Sequence, residues 1–250
     1  MHEPDIEVHG DAARLATAVA GELLRRLAGA QARGEVPQVG LTGGSIAQRI
    51  HEELDRRGGD SEVDWSRVVF WWGDERYVAS GSDDRNAHQA RAAFLDAVGA
   101  DPANVHEAPA TDSGRSLEEA AAAYGQELRE HGSGLFEVVM LGIGPDGHVA
   151  SLFPGHPALG VDDVVAVAVH DSPKPPPERI SLTYGALNRS RAIWFVASGE
   201  EKAGAVARAL AADGSVEETP ARGITGLPAT DDQPATTITW FLDPAAASRL

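Results

Sequence analysis

The feature that most constrains the fold of this chain is the alternation of short apolar runs with longer segments of helical periodicity. The runs at residues 68–72 and 138–143 are continuously apolar, which is typical of strands buried on both faces of a parallel sheet. Segments between such runs place apolar residues three and four positions apart, as on one face of a helix. This alternation predicts an α/β fold with a mostly parallel, Rossmann-like sheet and helices on both faces.

The element boundaries follow from apolar spacing, helix caps and breakers. Ser45 is expected to cap a helix that ends at Gly58-Gly59, and Ser116 and Ser198 each open a capping box. Predicted helices begin at residues 11, 45, 86, 116 and 198 and end near residues 32, 58, 94, 132 and 210. Predicted strands span residues 36–41, 68–72, 138–143, 164–169, 192–197 and 236–242, and predicted loops span residues 172–178 and 213–234.

The composition indicates a globular protein of a reducing compartment. The chain has 250 residues, of which 42% are hydrophobic, which is enough for one sizeable α/β domain or for two small domains. It contains no long linker, and we expect a single α/β domain spanning residues 1–250. It has no cysteine, which excludes disulfides and cysteine-based metal sites. Its acidic N-terminus does not resemble a signal peptide, and no apolar run approaches the ~20 residues of a membrane span. We therefore expect a cytoplasmic protein.

The charge of the chain restricts its partners. The formal net charge is −17 and the pI is about 4.8, whereas binding to nucleic acid or to an anionic membrane usually needs a basic face. We expect neither partner, and instead a small-molecule ligand and a protein that is a monomer or weak dimer. An anionic substrate would be repelled at long range, so its site must gather cations locally.

Four predicted strands are followed at once by polar segments that contain glycine. These segments lie at residues 42–45, 73–76, 144–148 and 198–202. In a parallel sheet they share the carboxyl edge, where open α/β sheets bind ligands. Their convergence is more informative than any one of them.

Two of these segments have the character of an anion site. Gly43, Gly44 and Ser45 let the backbone approach a ligand at the start of a helix, where free N–H groups and the helix dipole attract anions; a tight strand-to-helix turn is the alternative. Lys202 lies in the first helical turn after Ser198, where a cation is unfavourable unless an anion joins it. A solvated lysine beside Glu200 and Glu201 is the equally weighted alternative.

The other two segments supply candidate acid–base groups. His148 follows a buried strand and a Gly-Pro-Asp-Gly turn, and a neutral imidazole is the usual base for activating water. Asp146 could orient that ring or fix its tautomer. Asp74 and Glu75 are candidate acid–base groups and Arg76 a candidate ligand clamp, although an ion pair that holds the loop competes with this interpretation.

Several stretches of the chain also resemble those of one family. Residues 41–45, 72–78, 83–95, 136–159 and 171–203 are similar to the 6-phosphogluconolactonases of the pentose phosphate pathway, which belong with the amino-sugar-phosphate deaminase and isomerase-like proteins. The stretches cover nearly the whole chain in the family's order, and those around residues 142–155 and 172–183 are the most specific. The resemblance implies a three-layer fold and hydrolysis of 6-phosphogluconolactone to 6-phosphogluconate, the second step of the oxidative branch of that pathway.

The resemblance also implies roles for individual residues. His148 would be the catalytic base, and the backbone of Gly43, Gly44 and Ser45 would bind the phosphate together with Arg179 and Lys202. The other implied pocket residues are Arg76, Asn86 and Asp146. No metal and no nucleotide cofactor is implied. One departure is that Ile46 and Ala47 stand where the family usually has Thr-Pro, so a threonine hydroxyl is missing from the phosphate turn.

Two alternative functions were weighed against lactone hydrolysis. The related deaminases carry a carboxylate a few residues after the histidine, where this chain has Phe153, and without that acid the proton relay of a deaminase is incomplete. A sugar-phosphate sensor on the same fold would need an attached DNA-binding segment, and the sequence has no basic helix-turn-helix region. Lactone hydrolysis is therefore the favoured expectation.

Overall fold

The computed structural model describes residues 4–231 and 233–250. Residues 1–3, on which the expectation about a signal peptide partly rests, lie outside the described residues, and so does residue 232 of the predicted loop 213–234. None of the helices within the described part combines the length and the apolar character that a membrane crossing requires.

The described chain alternates strands and helices as the sequence predicts. The strands are β1 Asp5–Val8, β2 Gln38–Leu41, β3 Val69–Trp72, β4 Asp74–Arg76, β5 Val138–Leu141, β6 Ala166–Val169, β7 Arg179–Leu182, β8 Ala192–Ala197 and β9 Thr237–Leu242. The helices are α1 Ala12–Ala32, α2 Ser45–Gly58, α3 Asn86–Ala90, α4 Leu117–His131, α5 Tyr184–Leu187 and α6 Glu200–Leu210. A π-helical turn, Arg91–Leu95, continues α3.

Six strands form one parallel sheet in the order β1-β9-β8-β5-β2-β3. The strands β2, β3, β5 and β8 are buried along their whole length, which explains their continuously apolar sequences. Helices α1, α2 and α3 pack on one face, and α4, α5 and α6 pack on the other with a small second sheet. The predicted α/β class with three layers is confirmed.

The second sheet corrects part of the prediction. It is antiparallel, in the order β4-β7-β6, so the predicted strand at residues 164–169 does not belong to the parallel sheet. Residues 74–76, predicted as a turn, form the strand β4, and neither β7 nor the exposed edge strand β1 was predicted. These strands have three or four residues, and β4 is polar because its side chains form hydrogen bonds in place of apolar core contacts.

Two predicted helix caps are also wrong. The N-caps of α2 and α6 are Gly44 and Gly199, which have φ of 99° and 103°, and neither Ser45 nor Ser198 caps with its side chain. The Ser198 hydroxyl instead donates to the Asp243 carboxylate at 2.6 Å. By contrast, the capping box that Ser116 opens on α4 is confirmed. Glycine suits the two capping positions because an L side chain rarely adopts such positive φ.

His51 is a buried polar side chain of α2 and leads to a stability prediction. Its side chain packs against Phe94, neither ring nitrogen has a hydrogen-bond partner among the described residues, and burial lowers its pKa to about 4. In the folded protein His51 therefore stays neutral until the pH approaches 4, whereas in the unfolded chain it is protonated below its ordinary pKa of 6.5. We expect His51 to cost about 1 kcal/mol of stability per pH unit as the pH falls from 6.5 towards 4.

The measurement is urea unfolding of the wild type and of His51→Leu at pH 7, 5.5 and 4.5. The variant should be the more stable protein at every pH, because it removes an unsatisfied buried polar group, and its advantage should grow on acidification. The difference between the two proteins isolates His51 from the other titrating groups. A difference that stays constant across the three pH values would contradict the prediction.

Candidate active site

The residues predicted for the site converge on one cleft at the carboxyl edge of the parallel sheet. The cleft has a volume of about 270 Å³. Its lining includes Gly43, Gly44, Ser45, Asp74, Arg76, Asn86, His148, Arg179 and Lys202. Asp146 lies directly behind His148. A larger cavity of about 460 Å³ opens near Phe136, but it is mainly apolar and shares no lining residue with the cleft.

Asp146 and His148 form a hydrogen-bonded pair. Nδ1 of His148 lies 2.6 Å from Oδ1 of Asp146, and Nε2 makes no hydrogen bond to any described residue. Burial raises the pKa of the Asp146 carboxyl, but the hydrogen bond and charge of His148 and the charge of Lys174 outweigh it and hold that pKa well below its usual range. An ionised Asp146 accepts from Nδ1–H, which leaves Nε2 available to take a proton.

The turn that carries this pair is held mainly by its own backbone. The N–H of Gly144 donates to the His148 carbonyl oxygen at 2.9 Å, and the N–H of Gly147 donates to the Gly144 carbonyl oxygen at 2.8 Å. The imidazole lies against the ring of Phe153, with 4.5 Å between ring centroids. A methyl group at Gly144 would overlap both the imidazole and the Asp146 carboxylate, so the close approach of the pair requires glycine.

The glycine turn after β2 is open to a ligand. Within the described chain, no hydrogen bond uses the N–H groups of Gly43, Gly44 or Ser45. They lie at the start of α2, a helix of 14 residues, where the dipole favours an anion. A methyl group at Gly43 would overlap the Asn86 side chain, so this glycine permits the close contact between the turn and α3.

Arg76 and Asn86 are locked to each other beside this turn. Nη1 of Arg76 donates to the Asn86 side-chain oxygen, and Nδ2 of Asn86 donates to the Asp74 carbonyl oxygen at 2.9 Å. The buried Glu75 carboxylate accepts from the backbone N–H groups of Arg76, Asn86 and Ala87, each at 2.8 Å. Glu75 therefore anchors α3 and does not reach the cleft, which corrects its prediction as an acid–base group.

Asp74 lines the cleft, but its carboxylate also accepts a hydrogen bond from a neighbouring side chain. Its Oδ2 accepts from the Ser151 hydroxyl at 2.6 Å, and the residue is mostly buried. This leaves Oδ1 as the oxygen through which Asp74 can meet a ligand. Arg85 is buried and donates to the Ala108 carbonyl oxygen at 2.6 Å, so it is not one of the cations of the cleft.

Arg179 and Lys202 both line the cleft. The guanidinium of Arg179 lies over the Phe153 ring, and burial lowers its pKa. Burial also lowers the pKa of Lys202, and the charge of Lys174 lowers it further. Both shifts indicate cations that are held in the cleft without a counter-ion that compensates for their desolvation, as expected of an anion site.

Lys174 is a cleft residue that the sequence reasoning missed. It lies in the predicted loop 172–178, and its Nζ is 4.0 Å from Oδ1 of Asp146. The sequence does hold a signal that could have found it, because the chain contains only two lysines, Lys174 and Lys202. Both line the cleft, whereas all other positive side chains, histidine aside, are arginines.

Comparison with known proteins gives consistent results. The profile of the family described as glucosamine-6-phosphate isomerases/6-phosphogluconolactonase matches residues 10–233. A 6-phosphogluconolactonase from Streptomyces coelicolor is 43% identical over 256 residues, which cover 99% of this chain and 95% of that protein. One from Mycobacterium leprae is 40% identical over 252 residues, 98% of each chain. The solved structure of 6-phosphogluconolactonase from Trypanosoma brucei has 26% identity and a TM-score of 0.85 and covers 100% of both chains.

A parallel sheet whose carboxyl edge brings an imidazole–carboxylate pair together with four cations defines an α/β enzyme for small anionic substrates. The family profile spans most of the chain, and the bacterial relatives match it almost from end to end. The chain belongs to the glucosamine-6-phosphate isomerase/6-phosphogluconolactonase family.

Proposed function

We propose that this protein hydrolyses 6-phosphogluconolactone to 6-phosphogluconate in the pentose phosphate pathway. The observation that carries the proposal is the Asp146–His148 pair, at 2.6 Å, in a cleft that gathers cations within a chain of net charge −17. A base for water and a site for a phosphate are the two things that this reaction needs. The names of the close relatives point to the same reaction.

In the proposed mechanism, His148 activates the attacking water. Nε2 of the neutral imidazole takes a proton from water as the water oxygen attacks C1 of the lactone, and Asp146 stabilises the imidazolium that forms. Negative charge then builds on the former carbonyl oxygen. When the intermediate collapses, the bond from C1 to the ring oxygen breaks and His148 returns the proton to that oxygen. No metal or nucleotide cofactor takes part in these steps.

The phosphate binds at the opposite end of the substrate from C1. The unused N–H groups of Gly43, Gly44 and Ser45 and the cations of Arg179 and Lys202 form the phosphate site in this proposal. Ile46 and Ala47 supply no hydroxyl there, so the backbone and the two cations provide the contacts. Binding the phosphate holds C1 over His148, and such positioning lowers the barrier of the chemical step.

The proposal is tested by adding purified protein to freshly prepared 6-phosphogluconolactone and measuring acid release above the spontaneous rate. We expect acceleration that EDTA does not reduce. Loss of activity on chelation, restored by a divalent ion, would overturn the proposed mechanism, and no acceleration at all would overturn the proposed function.

The competing function within this family is deamination and isomerisation of glucosamine 6-phosphate. The buried Phe153 packs its ring against His148 at the position where the related deaminases carry an acid. An apolar ring cannot relay a proton, so the imidazole has Asp146 as its partner and no second carboxylate in contact. Incubation with glucosamine 6-phosphate should release no ammonia, and measurable turnover would revive this alternative.

Lys202 provides a clean test of the phosphate site. A hydrogen bond to a charged group is worth about 1.5–3 kcal/mol, so Lys202→Met should lower kcat/KM for the phosphorylated lactone by roughly ten- to a hundredfold. The same variant should hydrolyse unphosphorylated gluconolactone as well as the wild type does. Steady-state kinetics of both proteins on both lactones give the comparison. Equal losses on the two substrates would show that Lys202 supports the fold or the chemistry.

Three sequence-based expectations remain part of the proposal. They are a single domain spanning residues 1–250, a cytoplasmic location, and a monomer or weak dimer with no nucleic-acid or membrane partner. The acidic charge and the lack of cysteine support the location and the choice of partners.

A further inference from the structure

Both lysines of the chain line the cleft, and Lys174 lies beside the Asp146–His148 pair. Nζ of Lys174 is 4.0 Å from Oδ1 of Asp146, and its side chain is 43% exposed. Lys202 lies in the first turn of α6. The chain has 19 arginines and only two lysines, and both of these compact ammonium groups line the cleft.

The oxyanion of the proposed reaction needs donors, and the backbone of the turn that carries His148 is largely engaged in hydrogen bonds within the turn. In the turn that carries His148, the N–H groups of Gly144 and Gly147 donate to carbonyl oxygens of the turn itself. The N–H of His148 faces Oδ1 of Asp146 at 3.4 Å. These three N–H groups are therefore already engaged, which favours a side chain as the donor that stabilises the negative charge.

Part of each arginine guanidinium in the cleft also donates to the protein itself. Nε and Nη2 of Arg179 donate to the carbonyl oxygens of Pro176, Lys174 and Pro175 at 3.1–3.2 Å. Nη1 of Arg76 donates to the Asp84 carbonyl oxygen and to the Asn86 side chain. Among the described residues, the Lys174 ammonium has only the 4.0 Å contact with Asp146, which is too long for a hydrogen bond.

The backbone of Lys174 is rigidly placed although its side chain is free to reorient. The Ser172 hydroxyl accepts from the N–H of Lys174 at 3.3 Å and donates to the Lys174 carbonyl oxygen at 3.0 Å. Arg179 donates to the same carbonyl oxygen. This arrangement fixes the origin of a four-carbon side chain beside the imidazole and lets its ammonium move by a few ångströms towards a substrate.

We propose that Lys174 is a catalytic residue whose ammonium stabilises the negative charge on the oxygen of C1. As water attacks, the electron pair of the carbonyl bond moves onto that oxygen, and Lys174 donates a hydrogen bond to it without giving up its proton. When the bond to the ring oxygen breaks, the carbonyl bond forms again and the ring oxygen takes the proton held by His148. This inference rests on the proposed lactone hydrolysis and assigns the donor which that mechanism lacks.

The roles of the two lysines separate in a comparison of substrates. An oxyanion forms on every lactone, whereas a phosphate is present on only one of the two. Lys174→Met should therefore lower kcat on both 6-phosphogluconolactone and gluconolactone, by about 10- to 1,000-fold, with KM changed by less than about threefold. Lys202→Met should affect the phosphorylated lactone alone. Lys174→Arg should recover part of the rate, because a guanidinium also donates.

The control for loss of a positive charge is Arg14→Met, which removes an exposed cation of α1 that is paired with Asp11. It should behave as the wild type on both substrates. A loss for Lys174→Met on the phosphorylated lactone alone would make Lys174 a phosphate ligand and overturn the proposal. If Lys174→Met left kcat at its pH optimum unchanged and only shifted the pH profile, Lys174 would act only through Asp146. That result would also overturn the proposal.

The two lysines also allow a measurement that does not depend on turnover. Reductive methylation with ¹³C-formaldehyde labels Lys174, Lys202 and the terminal amine, and Lys174→Arg and Lys202→Arg assign the two lysine signals by NMR. Gluconate, whose C1 carboxylate resembles the oxyanion, should shift the Lys174 signal, and inorganic phosphate should shift that of Lys202. The reverse pattern would overturn the assignment.

The failure of this inference is distinguishable from failure of the proposed function. If the wild type does not accelerate lactone hydrolysis, the proposed function is wrong. If the wild type is active, His148→Gln is inactive and Lys174→Met retains full activity, only the role of Lys174 is wrong. Thermal unfolding of each variant checks that a loss of rate is not a loss of fold.

Discussion

Replacement of His148 by glutamine is expected to lower kcat for 6-phosphogluconolactone by about 10²–10⁴-fold, the usual contribution of a general base. The glutamine amide is of similar size but cannot take a proton from water. The phosphate contacts are untouched, so the variant should still bind 6-phosphogluconate with nearly the affinity of the wild type. Single-turnover kinetics measure the rate of the chemical step, and calorimetric titration with 6-phosphogluconate measures the affinity for the product.

Measuring both the rate and the affinity for the product distinguishes the loss of a base from a disturbed cleft. A variant that lost both rate and product binding would have a disturbed cleft, and the role of the imidazole would then have to be tested with His148→Asn. A variant that retained a third of the wild-type activity would show that His148 is not the base. Asp74, whose Oδ1 faces the cleft, would become the better candidate.

The second large effect is expected from the addition of one methyl group. In Gly144→Ala, the new Cβ would overlap the imidazole of His148 and the carboxylate of Asp146, so the pair must shift away from its present position. A misplacement of about 1 Å at a reacting group can cost about 10²-fold in rate. We expect a loss of kcat of that order with a small change in thermal stability, because the atoms that move are the ends of two side chains.

The matched control is Gly59→Ala, at the C-cap of α2, where an added Cβ meets nothing within 4 Å and φ is −66°. It should leave kcat and KM unchanged. Activity assays and thermal unfolding of both variants give the comparison. If Gly144→Ala kept wild-type kcat, the present spacing of the pair would not matter for catalysis.

The layers of the fold were predictable because buried parallel strands and amphipathic helices leave strong periodic signals. The edge of the sheet was predictable as the site because polar segments follow β2, β5 and β8, and the turns that begin at Thr42 and at Gly144 lie there as expected. The small sheet was not predictable in the same way. The strands β4 and β7 are short and pair across about a hundred residues, and no local pattern records such a pairing.

The errors at single residues have a common cause, which is that distant partners override local rules. Ser198 and Glu201 have the spacing of a capping box, yet the Ser198 hydroxyl and the Gly199 N–H donate instead to the Asp243 carboxylate. Glu75 is next to Asp74 in a polar segment, but its carboxylate accepts hydrogen bonds from the first N–H groups of α3 and is not free to act in the cleft. Lys174 was missed because a proline-rich loop looks solvated in the sequence, and only the fold brings it beside Asp146.

The contacts of Arg179 link the two ends of the proposed substrate. In the proposed mechanism its guanidinium binds the phosphate, while its Nε and Nη2 donate to the carbonyl oxygens of the loop that carries Lys174. Part of the free energy of phosphate binding to Arg179 would therefore also serve to position the Lys174 ammonium near C1. An unphosphorylated lactone would then lose turnover as well as affinity, and substitutions at Arg179 and Lys174 would be thermodynamically coupled instead of additive.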